Sequence, residues 1–168
     1  EISFIAIVTA IVLAIFVTIF LNFYKEFSHV TIYLFSLMYA IPSFALFALL
    51  IPITGLGQTT AIIVLVIYAQ YILVRTFLSG LSQVDKHVIE AAKAMGMTKW
   101  QILLKIQFPL AQKSFFAGLR LASTAIIAIA TIGATINAGG LGVILFDGLR
   151  TMNLTKLLWG IILTVGLS

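Results

Sequence analysis

Residues 84–111 read VDKHVIEAAKAMGMTKWQILLKIQFPLA. This stretch is an island of charge in a very apolar chain. Asp85, Lys86, Glu90, Lys93, Lys99 and Lys105 lie within it, and long uncharged runs flank it. Asp85 is a good N-cap, and a helical pattern follows it. Val84, Val88, Ala91 and Met95 fall on one stripe of that helix. Gly96 can take a positive φ and end it. Thr98 can cap a second short helix, Lys99 to Ile106. Pro109 suits the first turn of a third, where its missing N–H costs nothing. The island therefore reads as helix, sharp turn, helix, then re-entry into an apolar segment.

Working outward, composition sets the class. The chain has 168 residues, of which 62% are hydrophobic and 9% charged. Soluble domains carry roughly 25% charged residues, so this chain has too little polar surface for a water-soluble fold. Its apolar runs are continuous rather than alternating, which predicts an all-α, polytopic membrane protein and not a barrel. It has no cysteine, which excludes disulfides and thiolate metal sites. The net charge of +5 follows membrane topology and does not suggest nucleic-acid binding. No basic leader precedes the first apolar run.

About five spans are expected. The first is Ile2 to Tyr24, whose Ile, Val and Phe all round suit lipid contact. The second is Val30 to Leu50, kinked at Pro42 beside Ser43. That bend is read either as a pathway-lining feature or as a packing kink. Residues 51–60 form a turn, and the third span is Ala61 to Leu78. The fourth, Pro109 to Ile136, is dense in small residues such as Ala117, Gly118, Ala122, Ser123 and Gly133. It is expected in the bundle interior or at a dimer interface. Asn137 to Gly142 is its exit turn, and it lacks the Lys-Ser/Thr of a nucleotide loop. Val143 to Arg150 is a short interfacial segment. Leu157 to Ser168 begins a fifth helix too short to span, so a longer natural chain is expected.

Basic residues orient the bundle. Arg75, Lys86, Lys93, Lys99, Lys105 and Lys113 gather on the side of the charged island, and only Arg150 and Lys156 fall opposite. That side is therefore expected to be cytoplasmic. Arg120 stands roughly 16 Å along the fourth helix. We expect it to be a buried clamp on backbone carbonyls or on a partner helix, the other reading being a snorkelling side chain.

The island resembles the EAA loop of ABC importer permeases. Glu90-Ala91-Ala92, Gly96, Ile106 and Pro109 stand in that family's register, with Phe108 where Leu is usual. The resemblance implies a type I importer transmembrane domain across residues 1–168. It implies a bacterial inner-membrane location and alternating access driven by a separate ATPase that holds ATP and Mg. Asp85, Glu90, Ala91, Ala92, Gly96, Ile106 and Pro109 would then form the coupling region. Pro42, Ser43, Arg120, Ser123, Thr131, Gly133 and Asn137 would belong to the pathway or an interface. Further partners implied are a second, identical permease subunit, surrounding lipid, and an extracytoplasmic substrate-binding protein or fused domain. No catalytic or metal-binding residue is implied.

Residues 41–52, with Gly55-Leu56-Gly57, and residues 138–142 look like the osmoprotectant subfamily, which imports glycine betaine, choline and carnitine. Lys86 and Asn137 depart from it, where Pro and Gly are common. Ergothioneine and methionine-type permeases are the alternatives within the family, and a channel is the alternative outside it. The aromatic residues, Tyr33, Phe44, Tyr68 and Tyr71 among them, scatter over different helices. No high-affinity cage for a quaternary ammonium is therefore expected in this chain.

Overall fold

A computed structural model describes residues 2–167. It is helical almost throughout. Helix α1 (Ile2–Phe23) leads through a short 3-10 turn to α2 (Ser28–Ala40), α3 (Ser43–Thr54) and the long α4 (Gln58–Ser82). The charged island follows as α5 (Lys86–Ala94), α6 (Lys99–Ile102), a π turn (Leu103–Gln107) and α7 (Phe108–Leu110). Helix α8 (Gln112–Ile132) ends in a 3-10 turn, and α9 (Gly142–Arg150) and α10 (Leu154–Leu167) complete the chain. Three helices, α1, α4 and α8 with its 3-10 turn, are long and apolar enough to cross a membrane. The pair α2–α3 is a fourth crossing if its two halves count as one. Glu1 and Ser168, the first and last residues of the expected domain, lie outside the described residues.

Within this chain the interior helix is α4; the small-residue fourth span does not take the bundle interior, one of the two places expected for it. Leu65, Ala69, Leu73, Val74 and Phe77 of α4 are all buried, with α1, α2, α3 and α8 packed around them. Helix α8 buries only Gly118, Ala122, Ile126 and Ile127 along its length. The first span faces outward over much of its surface, as expected, but one stripe of it is buried. Ala6, Ala10, Ala14 and Thr18 recur every fourth residue and are buried. They form a seam of small side chains that lets α4 approach, while Phe4, Phe16 and Phe20 face outward. Gln70 of α4 donates to the Ala10 carbonyl at 3.0 Å and fixes the two helices against each other.

The expected kink at Pro42 is a full break: α2 and α3 meet at 95°. Ile41 and Pro42 are extended, with ψ of 129° and 135°, so the helix stops and restarts. Proline disfavours the helical conformation in the residue before it. The turn before α4 is shorter than residues 51–60. Pro52 lies inside α3, and the chain reverses over Gly55 and Gly57, which have φ of 79° and 119°. The Thr60 hydroxyl closes that turn by donating to the Gly55 carbonyl.

Pro109 lies in the first turn of the short helix α7, as expected. The π turn carries the chain from α6 into α7, with the Phe108 N–H reaching back to the Leu103 carbonyl. Wider hydrogen-bonded loops of this kind absorb an extra residue without ending the helix. On the opposite side of the bundle, α9 and α10 form a hairpin. Lys156 Nζ lies 2.5 Å from Asp147 Oδ2, and Arg150 lies 3.9 Å from the same carboxylate. The Lys156 hydrogen bond holds that carboxyl below the usual range.

Helix α4 crosses α8 closely. A Cβ added at Gly118 would collide with the Thr76 side chain, and one at Gly80 would meet Ser114 at 2.5 Å. Gly133, one of the small residues of this span, has ordinary room, with Ala138 Cβ at 3.5 Å. Overpacking of a core costs about 1–3 kcal/mol. Gly118→Leu should therefore lower the melting temperature of the detergent-solubilised protein, while Gly133→Ala and Val12→Leu should leave it unchanged. Equal tolerance at Gly118 and Val12 would contradict this packing.

Candidate functional site

The island folds as its local chemistry dictates. Asp85 Oδ1 accepts from the His87 N–H at 2.8 Å and caps α5. At the other end Gly96 has a φ of 79°. The Met97 N–H reaches the Ala92 carbonyl at 3.1 Å, and the Gly96 N–H reaches Lys93 at 2.9 Å. This paired closure satisfies carbonyls the helix end would leave open, and it needs a left-handed residue at Gly96. Thr98 and Gln101 then cap α6 reciprocally: the Thr98 N–H donates to Gln101 Oε1 at 2.8 Å, and the Gln101 N–H to Thr98 Oγ1 at 3.3 Å. Such a box satisfies two N–H groups that the start of the helix would leave open.

The result is a rigid helical hairpin with two different faces. Val84, Ala92, Ile102 and Leu103 are buried, Leu103 against Leu81 and Ala111. Val88, Met95, Trp100 and Leu104 are exposed, Met95 at 74%. The stripe read from the sequence therefore divides. Val84 turns inward, while Val88, Ala91 and Met95 turn out. The two alanines divide likewise: Ala91 is open to a partner, and Ala92 is used up in the hairpin's own packing. Glu90 is exposed, 3.9 Å from His87 Nδ1. Trp100 rests on Phe23 with ring centroids 4.7 Å apart, which ties the hairpin to the end of α1. Gln107, in the π turn, contacts the Asn22 amide at 3.4 Å and the Leu81 carbonyl at 3.5 Å. Ile106 is half-buried beside it, and Pro109 is exposed.

The remaining candidates do not join this site. Pro42 and Ser43 sit at the break between α2 and α3. The break leaves the Ile41 carbonyl outside any helix, and the Tyr68 hydroxyl of α4 donates to it. Tyr39, Tyr68 and Tyr71 converge there from two helices, so the aromatic residues do not all scatter. Only tertiary structure brings α2 against α4, and no spacing in the sequence signals it.

Arg120 is exposed, and no hydrogen bond or ion pair fixes its side chain among the described residues. The expected buried clamp is therefore not made within this chain. Ser123 lies half-buried one turn further along. Thr131 lines a cavity of about 640 Å³ at the far end of the bundle, with Ile2, Gln58, Ile127, Gly140 and Thr164. Gly133 is buried beside this region, and Asn137 closes the α8 exit with a φ of 64°. Asn is among the few side chains that visit that region routinely, so its presence in place of Gly leaves the turn intact.

Comparison with known proteins agrees with this architecture. Residues 6–168 match the family described as binding-protein-dependent transport system inner membrane component. The chain is 43% identical over 123 residues to the ergothioneine transport permease/ergothioneine binding protein EgtU of Helicobacter pylori (strain G27), covering 73% of this chain and 22% of that protein. It is 39% identical over 127 residues to the carnitine transport permease protein OpuCB of Listeria monocytogenes, covering 76% and 58% respectively. It is 32% identical over 149 residues to the glycine betaine/carnitine/choline transport system permease protein OpuCB of Bacillus subtilis (strain 168), covering 89% and 69%. The chain thus spans from about a fifth to about two thirds of these relatives' lengths. Its fold superimposes on an inward-facing structure of the MetNI methionine ABC transporter with a TM-score of 0.88, at 22% identity, covering 98% of this chain and 83% of that one. The chain belongs to the inner membrane components of binding-protein-dependent transport systems.

Proposed function

We propose that this chain is the permease subunit of an ATP-driven ABC importer that moves a quaternary-amine solute of the betaine type into the cytoplasm. The capped hairpin of α5 and α6 carries the reading. It presents Glu90, Ala91 and Met95 on a rigid outward face in the register of the EAA loop. Relatives named for carnitine, choline and glycine betaine support the substrate class. A second reading, ergothioneine, is favoured by the 43% identity to EgtU; the two substrates share a trimethylammonium group and a carboxylate.

On this reading the hairpin faces the cytoplasm and docks on an ABC ATPase subunit, which holds ATP and Mg. Two copies of the permease pair in the bacterial inner membrane. The open small-residue face of α8, with Ala117 and Ala128 exposed, suits a close helix contact with the second copy. An extracytoplasmic binding protein or fused domain captures the solute and delivers it to the end of the bundle that carries α9 and α10. ATP binding draws the two ATPase subunits together. Because Asp85, Gly96 and Thr98 make the hairpin stiff, that movement passes into α4 and α8 and does not dissipate in a loop. The chain itself performs no catalysis.

Two outcomes are expected. Reconstituted with its ATPase and binding domain, the transporter should take up carnitine, choline, glycine betaine or ergothioneine only with ATP, and failure with all four would contradict the substrate class. Glu90→Lys and Gly96→Val should insert normally but lose co-purification with the ATPase. The valine forces a β-branched residue to a φ of 79°, a strain of about 1–3 kcal/mol. Normal docking and transport in both variants would overturn the coupling assignment.

A further inference from the structure

Three tyrosines meet where α2 breaks. The Tyr39 ring lies 4.9 Å from Tyr71 and 5.6 Å from Tyr68, centroid to centroid. Tyr68 is buried, and its hydroxyl is committed to the Ile41 carbonyl, so it anchors the group. Tyr39 and Tyr71 keep part of their surfaces open. A cation already occupies this cluster. The Arg75 guanidinium lies 5.5 Å from the centre of the Tyr71 ring and donates to its hydroxyl.

The direction of Arg75 is informative. A basic residue near the hairpin end of α4 could snorkel to the surface on that side. It would then have to extend along the helix toward Ser82. Instead it folds back one turn onto Tyr71, toward the N-terminus of α4, as helical side chains lean. This carries the charge toward the membrane centre. Tyr71 stands roughly 20 Å from the start of α4, near the middle of that 25-residue helix, which is long enough to cross a hydrocarbon layer about 30 Å thick. An exposed guanidinium at that depth is costly against lipid and usually faces protein or a water-filled space. The face shared by Tyr39, Tyr71 and Arg75 is therefore a hydrated or protein-covered face.

We propose that Tyr39, Tyr71 and Arg75 form a weak way-station for a trimethylammonium carboxylate halfway across the membrane; this rests on the quaternary-amine reading above. The substrate cation takes the tyrosine faces by the same attraction that now holds the guanidinium. Arg75, displaced from Tyr71, turns its planar fork to the substrate carboxylate, which guanidinium fits in bidentate fashion. No bond is made or broken; one cation exchanges for another. Two partly open rings make a weak site, from which the solute is free to depart. A substrate without a carboxylate, such as choline, would use the rings alone and gain nothing from Arg75.

The test uses the complete transporter in proteoliposomes with carnitine and choline. Tyr39→Leu and Tyr71→Leu should each cut ATP-driven carnitine uptake by about tenfold, as expected on losing a desolvated cation–π contact. Tyr39→Phe and Tyr71→Phe should keep most of it, and Arg75→Gln should impair carnitine more than choline. The chain has no cysteine, so labelling gives a second measurement that stands even if the leucine variants fail to fold. Tyr39→Cys should react with a methanethiosulfonate reagent bearing a trimethylammonium group, and carnitine should slow that reaction. Phe16→Cys, on the outer face of α1, should show no such protection. Wild-type uptake in the leucine variants would overturn the proposal while leaving the substrate reading in place. So would a thiol in the Tyr39→Cys variant that the aqueous reagent cannot reach or that carnitine does not protect. A wild-type transporter that carries no quaternary amine would overturn both.

Discussion

A backbone carbonyl or amide inside a membrane has no water to turn to, and each one left unpaired costs several kcal/mol. The chain contains three prolines, and each interrupts the helical ladder at a point where the structure answers differently. At Pro42 the helix stops, and a side chain from another helix, Tyr68, pairs with the exposed Ile41 carbonyl. At Pro52 the helix continues to Thr54, and threonine hydroxyls tie the following turn: Thr54 to the Leu50 carbonyl at 2.9 Å, and Thr60 to Gly55. Just before Pro109 the ladder widens into a π turn that runs into α7. These three answers set where the chain bends, and so where its functional parts lie.

Helix α4 supplies or receives contacts at all three places. It offers Tyr68 to the first break, begins immediately after the second turn, and receives the Gln107 amide on its Leu81 carbonyl beside the third. Its packing on α1 and α8 is correspondingly tight, through the alanine seam of α1 and the glycines at positions 80 and 118. A stiff central helix held at both ends can carry movement from the hairpin to the middle of the membrane. The hairpin is stiff for local reasons, the break at Pro42 for tertiary ones, and α4 connects them.

This division also explains what could be read in the sequence. The Asp85 cap, the Gly96 turn and the Thr98 cap were legible because each depends on residues within one or two turns of each other. The membrane class was legible because it depends on composition alone. The central role of α4 was not, because the density of small residues in α8 is the louder signal. The four-residue repeat of Ala6, Ala10, Ala14 and Thr18 was present but submerged among Ile, Val and Phe. The full break at Pro42 depends on a partner hydroxyl 27 residues away, which a local reading weighs only as a kink. Within the coupling register, burial alone distinguished Ala91 from Ala92, and no spacing could.

The central claim is that the outward face of the hairpin is covered by an ATPase subunit and its inward face by the bundle. The direct measurement is photocrosslinking from single cysteines placed in this cysteine-free chain within the assembled transporter. A probe on Met95→Cys, at a position 74% exposed in the isolated chain, should capture the ATPase subunit. Ala92→Cys, at a position 1% exposed, should resist labelling. Capture of lipid alone from position 95 in a transporter that still couples ATP hydrolysis to uptake would contradict the account.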